Sequence, residues 1–299
     1  VAVNLRPNFE SALIGRSELL FENGDFEEAL KDADSCTSEA SRLAGLQALL
    51  ALDRLDEIFN RLHKYSESSR QNLRMAAFAS FISQREGKDA HHNFCPNPLN
   101  FIYRSKISNH VATTHVFLDD LVTELLAKDV LWEPSGKSTH GGYQTQWPTL
   151  FETAVGSLAK LKKIILQEID KYYQQFRDEA CLFIQRRTKQ PVLKGWHVVL
   201  KPGGFQTPHI HPDAWLTGVI YLEVVPGLEN NEGAIEFSLN SKNYYDQAMP
   251  KQLYEPERGD IILFPSSLHH RTIPFTTEAE RIIVSFDLMP PSYAKDQIN

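Results

Sequence analysis

The sequence predicts an α+β chain in two parts: a helical N-terminal region, then an antiparallel β-sandwich or barrel flanked by helices. Two changes of pattern predict it. From about Pro7 to Ala90, apolar residues recur only at helical spacing. From about Pro191 to Met289 the pattern becomes short period-two runs separated by Gly, Pro and Asn. The length of 299 residues gives room for both parts.

In the first part, apolar residues from Ala12-Leu13 to Leu19-Leu20-Phe21 share a helical face, and Gly24 breaks that helix before Asp25-Phe26-Glu27-Glu28-Ala29-Leu30 starts the next. The arrangement returns as Leu46, Leu49 and Leu50 before Asp53-Arg54-Leu55-Asp56-Glu57-Ile58-Phe59. A third trace runs from Met75 to Ile82 and ends in Gly87-Lys88-Asp89-Ala90. Residues 1–90 therefore resemble a degenerate tetratricopeptide array. The spacing is shorter than the ~34 residues of that family, and no repeat-ending proline stands near position 41. The resemblance implies stacked helix pairs with a groove for a protein partner or a second copy of the chain.

Residues 91–105, with Pro96, Asn97 and Pro98, read as a linker, because proline opposes both helix and central strand. Residues 106–299 form the second domain. Two helices open it, one carrying Phe117, Leu121 and Leu125, the other running from about Leu150 to Gln175. Between them, Thr139-His140-Gly141-Gly142-Tyr143-Gln144-Thr145 reads as a glycine-rich loop without the form of a phosphate-binding loop. Strands are expected at Trp196–Leu200, Thr207–Asp213, Leu216–Val225, Ala234–Leu239, Asp260–Phe264, His269–Ile273 and Arg281–Leu288.

Composition narrows the function classes. With 42% hydrophobic and 23% charged residues the chain reads as an ordinary soluble protein. A net charge of −7 argues against nucleic-acid binding. No apolar run approaches the ~18–20 residues that span a bilayer, and the N-terminus lacks the form of a signal peptide. Three widely separated cysteines give neither a disulfide framework nor a metal site. The expected setting is a reducing cytoplasm.

The chemistry concentrates in the β-region. Residues two apart on a strand share a face, so His209, His211 and Asp213 would line one side of it. A later strand supplies His269 or His270. A His-x-Asp pair with a distant histidine is the ligand set of a facial-triad iron(II) site, which leaves coordination positions open. Arg281, starting the last strand, is placed to hold a carboxylate co-substrate with a planar, bidentate guanidinium. The plainer assignments are strand histidines, an Asx turn at Asp213, and a surface ion pair of Arg281 with Glu280 or Asp260.

Two longer motifs carry a second resemblance. His209-Ile210-His211-Pro212 runs through Leu216-Thr217-Gly218-Val219-Ile220-Tyr221-Leu222. Phe264-Pro265-Ser266 is followed by His270 and Pro274, and Gly233-Ala234-Ile235-Glu236-Phe237 lies between. Residues 191–290 resemble the jelly-roll core, or double-stranded β-helix, of the 2-oxoglutarate- and iron(II)-dependent oxygenases. The resemblance implies iron(II) bound by His211, Asp213 and His270, with His209 as the alternative ligand in a three-histidine site. It implies 2-oxoglutarate held by Arg281 with Thr272 and Tyr221 in the same pocket, and dioxygen as oxidant. The hydroxyl residue that the family often has two positions after the arginine is here Ile283.

The expected reaction is hydroxylation of a small-molecule, amino-acid or peptide substrate, with release of succinate and CO2. The alternatives are another oxidation at the same site, such as desaturation, or a non-catalytic adaptor built on the repeats.

Overall fold

The computed structural model describes residues 9–146, 148–187, 190–226 and 229–290; Pro7, where the helical pattern begins, lies outside them. The chain divides into two compact units. One comprises Val1–Pro96 with Asn240–Ala248, the other Asn97–Leu239 with Met249–Asn299.

The first unit contains helices α1 (Glu10–Asn23), α2 (Phe26–Asp34), α3 (Glu39–Ala51), α4 (Leu55–Tyr65) and α5 (Leu73–Glu86). Local chemistry sets their ends. Gly24 closes α1 in the left-handed region at φ 88°, where a side chain would be strained. Ser38 caps α3 by accepting from the Ser41 amide, and Asn72 caps α5 by accepting from Met75. Helix α1 packs on α2 and α3, and α3 packs on both α2 and α4. Leu13, Leu30, Leu46, Leu49, Ile58 and Leu62 fill the interior. Arg16 grips Asp32 through two bonds of 2.5 Å, and Arg61 grips Asp34 at 2.5 and 2.8 Å.

The segment Asn240–Ala248 completes this unit, although in sequence it lies between two strands of the other one. The Tyr244 ring meets Phe78 and Phe81 of α5 at centroid distances of 5.3 and 4.8 Å. Asn243 donates to Gln47 at 3.2 Å, and Lys242 pairs with Glu22 at 2.8 Å.

In the second unit, α6 (Thr114–Leu126), α7 (Gly156–Gln175) and the short α8 (Leu182–Gln185) accompany a ten-stranded sheet. The strands are β1 (Tyr103–Lys106), β2 (Val130–Trp132), β3 (Thr139–Thr145), β4 (Leu193–His209), β5 (Leu216–Glu223), β6 (Ile235–Ser238), β7 (Lys251–Tyr254), β8 (Asp260–Pro265), β9 (His269–Thr272) and β10 (Arg281–Leu288). The main order is β1-β8-β5-β10-β4-β9-β6-β7, with β2 and β3 attached beside β4. Every ladder between these strands is antiparallel.

Strand β4 shapes the core. Its first half, Leu193–Leu200, pairs with β10, while Gln206 and His209 at its far end pair with Thr272 and His270 of β9. One strand thus belongs to both halves of the sheet, which curls into a jelly-roll core. Helix α6 packs against α7 and against β5. Among the described residues no helix is long and apolar enough to cross a membrane.

Three local expectations change. The stretch Thr139–Thr145 is strand β3 and not a loop. Its glycines permit close backbone approach, since a Cβ on Gly142 would stand 2.6 Å from the Val199 carbonyl oxygen. The two strands expected at 196–200 and 207–213 are one strand that ends at His209, and Pro212-Asp213 form a turn. Strand β1 begins inside the expected linker at Tyr103, because that edge segment pairs with β8.

Candidate metal centre

The end of β4 and the facing β9 bring three histidines together. His209 is the register partner of His270, and His211 follows just past the end of β4. One ligating atom from each of His209, His211 and His270 lies within 4.8 Å of the other two. Ring centroids are 4.3 Å apart for His209–His270 and 5.2 Å for each of the other two pairs. Phe264 packs edge-on against His270 at 4.6 Å, and Trp196 lies 5.5 Å from His211.

The hydrogen bonds fix how these rings present themselves. His209 Nδ1 meets the Thr207 carbonyl at 2.7 Å, and His270 Nδ1 meets the Leu268 carbonyl at 3.2 Å. His211 Nδ1 meets the Asp287 carboxylate at 2.8 Å. Each partner is an oxygen that can only accept, so Nδ1 carries the proton and donates in all three rings. In the neutral ring the lone pair is then on Nε2, as a metal requires. Ser138 Oγ stands 3.3 Å from His209 Nε2, where its hydroxyl can donate. Burial pushes His209 down to about 3 and His270 well below the usual histidine range, each reinforced by the neighbouring rings. Neutral imidazoles are the metal-binding form.

Asp213 is exposed in the turn after Pro212 and is not among the grouped side chains. Proline has no N–H for the ladder, so the strand face that His209 begins is not continued. His269 is also buried, which lowers it to about 4.

Arg281 is 1% exposed, and its Nε and Nη1 have no hydrogen-bond partner. Neither acid that might have paired with it does so. Glu280 binds Lys201, and Asp260 accepts from the Tyr254 hydroxyl and from the Glu257 amide. The Arg281 guanidinium instead lies over the Tyr221 ring, 5.0 Å from its centroid, and the Tyr221 hydroxyl also lacks a partner. Burial lowers the arginine and raises Tyr221 to about 12. Arg281 also borders a cleft of about 250 Å³ whose other charged lining residues are Glu232, Glu255 and Glu257, so it is the unmet buried donors, and not that cleft, that call for an anion. Unpaired buried donors of this kind are costly unless an anion meets them, so the residues present fit a carboxylate.

Thr272 is buried two residues after His270 on β9. Its hydroxyl is 3.4 Å from Gln206 Oε1; Gln206 in turn approaches Thr139, which donates to Gln144 at 3.1 Å. Ile283 is buried without a polar atom to offer. Sequence reasoning missed Asp287, Gln206 and Ser138. For Asp287 the signal was available, because alternation along β10 puts Arg281, Ile283, Ser285 and Asp287 on one face.

A curled antiparallel core with histidines at the mouth of one ladder and an unpaired arginine inside defines a jelly-roll metalloprotein class. Residues 194–287 match the family described as "Putative 2OG-Fe(II) oxygenase". This region is a 2-oxoglutarate/iron(II) oxygenase domain, and the chain that carries it is an oxygenase whose cofactors are iron(II), 2-oxoglutarate and dioxygen. Among solved structures, a Pseudomonas putida prolyl-4-hydroxylase is similar at TM-score 0.43 and 14% identity, covering 63% of this chain and 92% of that one. A Trichoplax adhaerens prolyl hydroxylase, in complex with a hypoxia inducible factor oxygen degradation domain peptide fragment, gives 0.46 and 14%, covering 65% and 86%. HygX from Streptomyces hygroscopicus, with nickel and 2-oxoglutarate bound, gives 0.41 and 13%, covering 63% and 82%. No curated protein matches the chain.

Proposed function

We propose that the protein hydroxylates a C–H bond of a peptide or amino-acid-type substrate, with iron(II) on His209, His211 and His270 and 2-oxoglutarate anchored by Arg281. The observation that carries the metal site is the convergence of three rings whose Nδ1 atoms are all engaged. This favours the three-histidine set over the one containing Asp213.

Bound iron(II) would let dioxygen act as the oxidant of both 2-oxoglutarate and substrate, one oxygen atom entering succinate as the ketoacid loses CO2 and the other entering the substrate C–H bond. The chain's own part is to bind, orient and exclude water. Arg281 would hold the distal carboxylate by charge-assisted hydrogen bonds, with the Tyr221 hydroxyl as a further donor. Thr272, beside His270, would contact the same ligand. Phe264 and Trp196 keep the neighbourhood of the rings apolar.

The substrate class rests on the run of neutral polar side chains bonded to one another from Thr272 onward. Gln206, Thr139 and Gln144 are neutral amide and hydroxyl groups, suited to the uncharged amides of a peptide. The helical unit is an expected site for a protein partner or a second copy of the chain. The test is succinate release from 2-oxoglutarate with iron(II), screened against amino acids and peptides. Stimulation by none of them would reject the substrate class. Failure of His270→Ala to abolish basal succinate release would reject the metal site.

A further inference from the structure

We infer that Asp287 is the positioning residue of the metal centre: its carboxylate locks His211 as the Nδ1–H tautomer and supplies the negative charge that three neutral imidazoles lack. This rests on the reading of the histidine cluster as a metal site.

His209 and His270 are held by carbonyl oxygens two residues away along their own chain. His211 lies past the end of β4 and has no such local partner. Its backbone amide donates to the Ser266 carbonyl at 3.0 Å, but its ring is oriented by a side chain, Asp287 Oδ1, at 2.8 Å. Both side chains are largely enclosed, at 12% and 15% exposure. A charge-assisted bond is stronger there than in water.

The aspartate is itself held. Thr217 is its register partner across β5 and β10, and the Thr217 hydroxyl donates to Oδ1 at 2.8 Å. Thr217 Oγ1 also lies 2.8 Å from Ser266 Oγ. Since a carboxylate can only accept, the directions are determined. Ser266 donates to Thr217, Thr217 donates to Asp287, and His211 donates to Asp287 from the other side. The ring is thus braced against the β5–β8 ladder, which also positions the backbone that binds the His211 amide. Such a carboxylate–histidine contact fixes the ring, raises the basicity of its free nitrogen and tightens the metal. Asp287 would supply through His211 the negative charge that a carboxylate ligand supplies by direct coordination.

The full chain should be titrated anaerobically with cobalt(II), which takes the same nitrogen donors. Asp287→Ala should weaken binding by about 10- to 100-fold. Asp287→Asn should fall between the two, because its amide oxygen still accepts from Nδ1–H but carries no charge. Thr217→Val should weaken binding less than Asp287→Ala. In the cobalt protein each of the three histidines should give one shifted, exchangeable ring N–H resonance. Asp287→Ala should lose the His211 signal to exchange with water, and Asp287→Asn should keep it.

Cobalt affinity and N–H signals in Asp287→Ala equal to those of the parent would overturn the inference. If that variant does not fold, equal affinity in both Asp287→Asn and Thr217→Val does the same. A parent protein that binds no cobalt, or binds it unchanged after His270→Ala, rejects the metal centre itself and the inference with it. Loss in His270→Ala with no change in the Asp287 variants rejects the inference alone.

Discussion

His209 and His270 stand opposite each other across the β4–β9 ladder, with ring centroids 4.3 Å apart. Two histidines distant in sequence are thus joined by strand register. A slip of one residue would turn either ring to the other face and dissolve the group.

Replacing His270 with Ala should abolish stoichiometric metal binding and succinate release together, while circular dichroism shows the sheet retained. Asp213→Ala should leave metal affinity within about twofold of the parent, because surface substitutions away from special features act weakly. A large loss of affinity in Asp213→Ala would restore the His-x-Asp ligand set.

Arg281→Ala should weaken 2-oxoglutarate binding at least about a hundredfold, since stranding one partner of a buried pair costs roughly 3–5 kcal/mol. Iron affinity should be unchanged. Anaerobic titration, following the visible absorbance of the ferrous complex, measures both. Equal 2-oxoglutarate affinities would move the carboxylate site elsewhere, with Lys201, Arg258 and Arg271 next to be tested.

His197 gives the fold an acid sensitivity. It is 0% exposed on β4, neither ring nitrogen has a partner, and burial with the nearby Lys128 charge lowers it to about 4. Above pH 6.5 the ring is neutral whether the chain is folded or not, so it contributes no pH dependence. As pH falls from 6.5 toward 4, the unfolded chain takes up a proton that the folded chain refuses, and stability drops. The full loss is about 3 kcal/mol at roughly 1.4 kcal/mol per pH unit. In metal-free protein, urea unfolding of His197→Leu at pH 7 and pH 4.5 should show a shallower decline than the parent. Parallel declines would rule this origin out.

Tyr244→Ala should destabilise the helical unit by about 3–5 kcal/mol, the usual cost of deleting a large buried aromatic side chain. Its ring fills the space against Phe78 and Phe81. Cobalt affinity should persist at temperatures where both units remain folded. A melting temperature within 1–2 °C of the parent would show that the segment is only loosely seated.

Much of this was legible because it is local. The helical periods of α1–α5, the alternation of β5 and β10 and the histidine motifs are written in residues a few positions apart. The turn at Pro212-Asp213 was not legible, because alternation along β4 gives no sign that the strand ends at His209. Asp287 was hidden less by physics than by its distance from the motifs, since counting by twos from Arg281 reaches it. The seat of Tyr244 had no local signal: a turn between two strands looks the same whether or not a distant helix receives it. Strand β3 was misread because its glycines were taken as freedom, when they serve the close passage of Gly142 by Val199 and of Gly141 by Gly204.

The unmatched guanidinium of Arg281 also bears on how long the protein lasts. A ligand that binds only the folded chain stabilises it by about 2.7 kcal/mol when present at a hundredfold excess over its dissociation constant. On the proposed reading, that ligand is a central metabolite. As the supply of a small dicarboxylate rose, the fraction of chains exposed to proteases would fall and the protein's abundance would rise, linking cellular turnover to carbon status before any catalysis takes place.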